Sequence, residues 1–540
     1  MPLTVGRSAI DQHLKPVDTN EPAGDRVSVR AALLLLVVFI VAVCGLVYEL
    51  IAGALASYLL GDSVTQFSYV IGVFLTAMGV GSYLSRLVRK NLPSALVLIE
   101  LAVGVIGGMA AFTGFAAFSY DLFDAEVLMG QVAIIGILVG LEIPIVVRIL
   151  QDENELRVTI ANVMGVDYLG AFAASLLFPL LLLPHLGLVQ AGLVMGLTNV
   201  VVGGLLTWVL PLSAARRNRL RLLCAICILG LGTCLAFSTR WVALFENRIY
   251  QDEIIYSQRT RYQQVVLTRW RNDLRLYLNG HLQFSSVDEY RYHETLVHPA
   301  MLMHGNARRV LILGGGDGLA AREVLRHASV KHVDLVDLDS VVVDLFRTNA
   351  MLTALNSGAL SDARVAVHPA DAFQFLRSCM TKYDVILADL PDPSTSELGK
   401  LYSTPFYGLV ARALTPDGFF VTQATSPFRS REAFWCIAET LSGLTDTDGN
   451  ARFTVTPLHV YIPTFGSWGF MLAGRDRLDP AVIERNGVGL LEGNRYVTAD
   501  TIRGMVHFPP DMSRIPTGIS SLNNPLVSRF YREGYNRYLD

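Results

Sequence analysis

From about Ala31 to Phe237 the chain is a series of apolar runs, each close to the roughly 20 residues that a helix needs to cross a bilayer. They read as Ala31–Leu55, Val64–Leu87, Ala95–Phe118, Val127–Leu150, Val158–Leu183, Gly187–Leu210 and Leu220–Phe237. So much continuous apolar sequence rules out an ordinary soluble chain, and a hydrophobic fraction of 52% over 540 residues agrees. The expectation is an N-terminal α-helical transmembrane bundle of about seven spans. The first run starts too far along, and lacks a small-residue cleavage site after it, to be a signal peptide, so it reads as a permanent anchor.

The loops carry a charge pattern. Arg86, Arg89 and Lys90 follow the second run, Arg148 and Arg157 flank the fourth, and Arg216, Arg217, Arg219 and Arg221 follow the sixth. The loop at Asp121, Asp124 and Glu126 has no Lys or Arg. The positive-inside rule places the basic loops and the N-terminus in the cytoplasm. Seven spans then deliver the C-terminal half to the outer face, which conflicts with the chemistry below, built on a cytosolic nucleoside. The chemistry takes precedence here, giving a multi-pass inner-membrane protein with a cytoplasmic C-terminal half. Glu49, Glu100, Glu142 and Asp167 lie in or near the runs, where acids either hydrogen-bond across a bundle or line a cation site. Their spacing does not separate the two. A net charge of −3 gives no basic field for nucleic acid. Cys44, Cys224, Cys227, Cys234, Cys379 and Cys436 imply neither a disulfide framework nor a metal site.

From Trp241 onward the texture is that of a soluble α/β domain. Val265–Trp270, Leu274–Leu278 and His281–Phe284 are short strand candidates, joined by turns at Arg271-Asn272-Asp273 and Asn279-Gly280. After Gly305 strands and helices alternate, with strands at Val310–Leu313, Val333–Val336, Val365–Val367, Val385–Ala388 and Phe419–Gln423. That alternation predicts a parallel doubly wound, Rossmann-like sheet. The expected organisation is a tail (1–30), a helical transmembrane domain (31–239), a small β-rich subdomain (240–304) and a Rossmann-like domain (305–540).

The strongest local motif is Gly314-Gly315-Gly316-Asp317-Gly318, set between the strand Val310–Leu313 and a helix. Such a turn lets a ligand approach the backbone, although glycine turns also serve plain packing. The next strand ends at Asp337, about twenty residues on, where nucleotide-binding folds place a carboxylate for ribose hydroxyls. Asp371-Ala372 follows the third strand, well placed for an adenine amine. Asp317 inside the first turn would repel a phosphate or carboxylate but hold a sulfonium or ammonium, which favours a decarboxylated ligand. As plain structure, it caps the following helix.

Asp389-Leu390-Pro391-Asp392-Pro393 puts two acids at the end of the fourth strand. A diamine is a dication in water, so its pocket needs carboxylates and aromatic faces. Its attacking nitrogen must lose a proton, and a nearby carboxylate supplies a base. The sulfonium is already an activated leaving group, so no metal is expected.

Residues from about Gln263 to Tyr407 resemble the spermidine synthase family, the polyamine aminopropyltransferases. The marks are Leu278-Asn279-Gly280 with Gln283, Asp288-Glu289, Tyr292-His293-Glu294 with His298, and the glycine turn. Asp337-Leu338-Asp339, Asp371-Ala372, Asp389, Asp392-Pro393, Leu401-Tyr402 and Phe406-Tyr407 continue them in the family's order. The helical half is similar to the extension on a subset of bacterial members. The resemblance implies transfer of an aminopropyl group from decarboxylated S-adenosylmethionine, a co-substrate, to a diamine such as putrescine, giving spermidine and methylthioadenosine. It implies Asp389 as catalytic acid/base, and Asp392 and Tyr292 as acceptor contacts. Gln263, His293, Gly314, Gly316, Asp317, Asp337, Asp371 and Ala372 are the implied donor contacts. It also suggests a homodimer. Ser394-Thr395-Ser396-Glu397 departs from the family's Gly-Pro segment, and Trp468 is bulky enough to reshape the acceptor pocket, so the acceptor's identity stays open. Two other functions remain: an amine N-methyltransferase using full S-adenosylmethionine, and a polyamine sensor or transporter whose soluble domain only binds.

Overall fold

The computed structural model describes residues 29–60, 63–120, 122, 125–151, 156–250, 252–446 and 448–537. The N-terminal tail to residue 28, and Asp121 and Asp124 of the acidic loop, lie outside the described residues.

The apolar half folds as helices α1 (Val29–Leu60), α2 (Ser63–Leu84), α3 (Leu92–Ser119), α4 (Ala125–Leu150), α5 (Leu156–Leu177), α6 (Leu183–Val209) and α7 (Ala214–Tyr250). Small residues let the backbones close on one another: a Cβ on Gly196 of α6 would stand 2.4 Å from the Gly104 carbonyl oxygen of α3. Among the described residues six helices are long and apolar enough to cross a membrane, against the seven runs read from the sequence. The fifth and sixth runs are one helical stretch of 54 residues. A π-helical turn at Phe178–Leu182 joins them, and Gly187 (φ 67°, ψ −174°) interrupts the second part. Glu100 and Glu142 are buried in this bundle, and Asn199 Nδ2 donates to Glu100 Oε2 at 3.3 Å.

One end of the bundle carries the rest of the chain. There Tyr58 of α1 packs on Phe115 of α3, Phe112 packs on Phe245 of α7, and Arg248 Nε donates to the Ser119 carbonyl at 3.0 Å. At the other end Arg148 donates to the Ser85 and Val88 carbonyls, and Arg216 reaches Asn91. The three basic loops therefore gather away from the C-terminal half.

Helix α7 runs on past its apolar part to Tyr250, whose ring meets Tyr277 edge-on at 4.9 Å. A four-stranded antiparallel sheet follows, in the order β1 (Glu253–Arg259), β2 (Gln264–Trp270), β3 (Asp273–Leu278), β4 (His281–Ser285). The last three strands match the sequence reading, and β1 was not among its candidates. Asn279 and Gly280 both have positive φ (50° and 82°), the geometry that a two-residue hairpin turn requires.

Helix α8 (Glu289–His304) leads into a seven-stranded sheet. Its strands are β5 (Arg309–Gly314), β6 (His332–Asp337), β7 (Val365–Pro369), β8 (Tyr383–Asp389), β9 (Leu414–Gln423), β10 (Thr454–Ile462) and β11 (Gly466–Gly474). The order is β10-β11-β9-β8-β5-β6-β7. Strands β5 to β9 run parallel as expected, but β11 is antiparallel to β9 and β10 to β11, so the sheet is mixed. Pro457 hides β10 from a strand search, and such a proline is tolerated at a sheet edge, where β10 lies. Val310 and Ile312 feed one apolar cluster, and Leu311 and Leu313 a second, as a sheet covered on both faces demands.

Candidate active site

Parallel pairing of β5 with β8 sets Gly314 directly beside Asp389. The chain can turn there because Gly314 has φ 83°, and a Cβ at this position would stand 2.0 Å from the Asp389 carbonyl oxygen. Both features demand glycine. One strand further along, Asp337 Oδ2 accepts from the Gly316 amide at 2.9 Å, and its Oδ1 accepts from the Asp339 amide at 2.8 Å. The Asp337 carboxylate is thus locked against the glycine turn.

Helix α8 supplies the facing wall. Tyr292 donates its hydroxyl to Asp389 Oδ1 at 2.7 Å. His293 Nε2 stands 3.8 Å from Asp389 Oδ2, while its Nδ1 meets Glu289 Oε2 at 2.8 Å. Arg322 grips Glu289 through two nitrogens, at 2.9 and 3.0 Å. Burial works to lower the His293 pKa, but the hydrogen bond to Glu289 and its charge outweigh it and raise the pKa to about 9. Burial pushes the Asp317 carboxyl up to about 6 against the pull of His293, and raises that of Asp337 also.

Asp392 accepts from Gln423 Nε2 at 3.2 Å and from the Tyr531 hydroxyl at 3.0 Å. Burial raises its pKa to about 6 in spite of these bonds. Asp371 is more occupied than its expected role suggests: one oxygen caps the following helix at the Gln374 amide, and the other pairs with Lys400 at 2.7 Å. Gln263 Nε2 donates to Asp339 Oδ2 at 3.0 Å, tying the small sheet to the large one.

Every site residue expected from the sequence lines one cavity of about 1310 Å³. Its walls include Gln263, Tyr292, His293, the turn from Gly314 to Asp317, Asp337, Asp371, Ala372, Asp389 and Asp392. His293, Asp317 and Asp389 each bring one atom within 4.8 Å of the others, a spacing that also suits a metal ion. Sequence reasoning marked Glu289 as part of a motif without giving it a role, and missed Arg322, Gln423 and Tyr531 as supports of this site. Gln423 was findable as a polar residue closing an apolar strand. Tyr531 comes from the C-terminal helix Leu526–Asn536, and nothing near it in sequence marks it.

The Spermine/spermidine synthase domain pattern matches residues 289–481. A polyamine aminopropyltransferase of Leptospira interrogans is 44% identical over 93% of this chain and 98% of its own length. The chain belongs to the polyamine aminopropyltransferase family. Polyamine aminopropyltransferase 1 of Ralstonia nicotianae is also 44% identical to this aminopropyltransferase, over 97% of this chain and 99% of its own. The crystal structure of spermidine synthase from Thermotoga maritima superposes on 48% of the aminopropyltransferase and 85% of its own chain, with 25% identity and a TM-score of 0.42.

Proposed function

We propose that the protein transfers the aminopropyl group of decarboxylated S-adenosylmethionine to putrescine, giving spermidine and methylthioadenosine. The observation that carries this reading is the set of three carboxylates, Asp317, Asp389 and Asp392, facing one cavity with Tyr292 and His293. A cavity with that charge suits a donor whose reactive end is a sulfonium and an ammonium, and an acceptor that is a dication.

The nucleoside lies along the strand ends, with its ribose at Asp337, its adenine near Asp371 and Ala372, and its aminopropyl ammonium at Asp317. Gln263 and His293 flank it. Asp392 and Tyr292 hold the diamine with one nitrogen towards Asp389. Once that nitrogen has given up a proton, its lone pair forms a bond to the methylene carbon on sulfur. The carbon–sulfur bond breaks, and its electron pair stays on sulfur as a neutral thioether. The proton lost by nitrogen passes to the Asp389 carboxylate, whose other oxygen is oriented by the Tyr292 hydroxyl.

The helical half sits in the inner membrane. We assign the catalytic half to the cytoplasm, where nucleoside donors are made, against the gathering of the basic loops at the far end. Protease treatment of spheroplasts and of inverted vesicles tests this: loss of the catalytic half in intact spheroplasts reverses the assignment.

The reaction is tested on detergent-purified protein given decarboxylated S-adenosylmethionine with putrescine, cadaverine, agmatine or spermidine. Methylthioadenosine released with putrescine supports the proposal, and release only with another amine renames the acceptor. S-adenosylhomocysteine formed from full S-adenosylmethionine, with no release from the decarboxylated donor, overturns it.

A further inference from the structure

The cavity has walls that the catalytic half does not supply. Ala54, Ser57 and Tyr58 at the end of α1, and Thr65, Gln66 and Phe67 at the start of α2, line the same space as Asp389 and Asp392. Its volume of about 1310 Å³ exceeds the roughly 300–1,000 Å³ usual for small-ligand sites, which leaves room beyond the strand-end contacts. Two of the bundle side chains there, Phe67 and Tyr58, pack on neighbours. A Cβ on Gly53 would stand 2.6 Å from the Phe67 ring, and Tyr58 packs on Phe115 at 5.7 Å and lies close to Arg259 of β1.

The chemistry of this outer part differs from that of the inner part. Asp317, Asp389 and Asp392 bring carboxylates to the inner part, whereas the bundle brings the hydroxyl and amide groups of Ser57, Tyr58, Thr65 and Gln66 and the ring of Phe67, and Arg259, Arg529 and Arg532 line the cavity as well. The hydroxyl, amide and aromatic groups that the bundle contributes suit the methylene chain of a linear amine. The nucleoside already has its contacts along the strand ends, so the variable partner is the amine.

We propose that Tyr58, Gln66 and Phe67 form the outer wall of the amine channel, making the helical half a part of the active site that selects the amine. The inference takes from the proposed function that an amine lies against Asp389 and Asp392 and that the nucleoside lies along the strand ends.

The test uses the full chain in detergent. Phe67→Ala should raise the KM of the accepted amine about tenfold while leaving kcat and the donor KM within about twofold. A second variant, Gln66→Cys, is treated with a charged maleimide, with wild-type protein measuring the background from native cysteines. Modification should stop turnover, and methylthioadenosine plus amine should slow the labelling about tenfold. The inference is overturned if Phe67→Ala changes kcat or the donor KM alone, or if the thiol introduced by Gln66→Cys labels at the same rate with and without ligands and the labelled protein keeps its activity. Protection from labelling is measurable even if the wild type proves to catalyse another reaction, so the two readings fail separately.

Discussion

Replacing Asp392 by asparagine keeps the shape of the side chain and removes its charge. The structure says what each loss should do. On the protein side, Gln423 Nε2 and the Tyr531 hydroxyl both donate to the carboxylate, so an amide nitrogen at one position would face a donor. Tyr531 can rotate to accept instead, which limits that cost to about 1 kcal/mol of stability. On the substrate side, a charge-assisted hydrogen bond to an ammonium is worth about 1.5–3 kcal/mol, which converts to a roughly 10- to 150-fold loss in kcat/KM for the amine. The sign of the pH dependence follows from burial, which sets the Asp392 pKa at about 6. Below that pH the carboxyl is neutral and attracts no ammonium, so wild-type kcat/KM for the amine should fall as pH drops from 7 to 5, by about tenfold per unit at the lower end. Asp392→Asn should start low and stay flat over this range. The assay is the initial rate of methylthioadenosine release against amine concentration, with the donor saturating so that titration of Asp317 does not enter. Near-normal amine kcat/KM in Asp392→Asn, or an acid fall unchanged by the substitution, would refute the role given to Asp392.

Other outcomes follow from the same geometry. Asp389→Asn should lower kcat by roughly 10²–10⁴-fold, because the base is lost and the contacts are kept, with single-turnover rates as the check. A chelator should leave turnover unchanged, whereas loss that is restored by one metal would make His293, Asp317 and Asp389 a metal site. The Glu289–His293 pair should stabilise the fold fully below about pH 6.5 and lose that contribution as pH rises through about 9. Thermal melts from pH 6 to 10 should show this fall, and His293→Gln should flatten it. Gly314→Ala should cost at least 2 kcal/mol, about the strain of a forced contact, because its Cβ meets the Asp389 carbonyl oxygen at 2.0 Å and φ is 83°; a melting temperature within 1 °C of wild type would contradict this.

Much of this architecture can be read from residue order. The glycine turn after Leu313 and the acids at Asp337 and Asp389 close apolar strand-length runs, so alternation alone sets them on one edge of a sheet. The parallel register that brings Gly314 beside Asp389 follows from the same pattern. Strand β10 was obscured by Pro457, and β1 by the polar residues of a half-exposed strand. The break read between the fifth and sixth apolar runs falls at Gly187, where the backbone leaves the helical region, whereas the π-helical turn at Phe178–Leu182 had no sequence signal. Tyr531, which reaches Asp392 across 139 positions, left no local trace, and Glu289, marked only as part of a motif, shows its function once Arg322 is beside it. The contribution of Phe67 to the cavity was equally invisible, since in sequence it is one more aromatic in an apolar run.

Helix α7 has 37 residues, a rod about 55 Å long, and it stops only two residues before β1. The catalytic half is therefore mounted on a short joint. A globular domain on a loose tether turns freely and offers its opening to every direction in turn. Here the heading and standoff of the opening are those of the helices themselves, with Tyr250 wedged against Tyr277 at the joint. Inserting or deleting one residue in the last turns of α7 would rotate the whole catalytic half by about 100° and leave both domains intact but out of alignment.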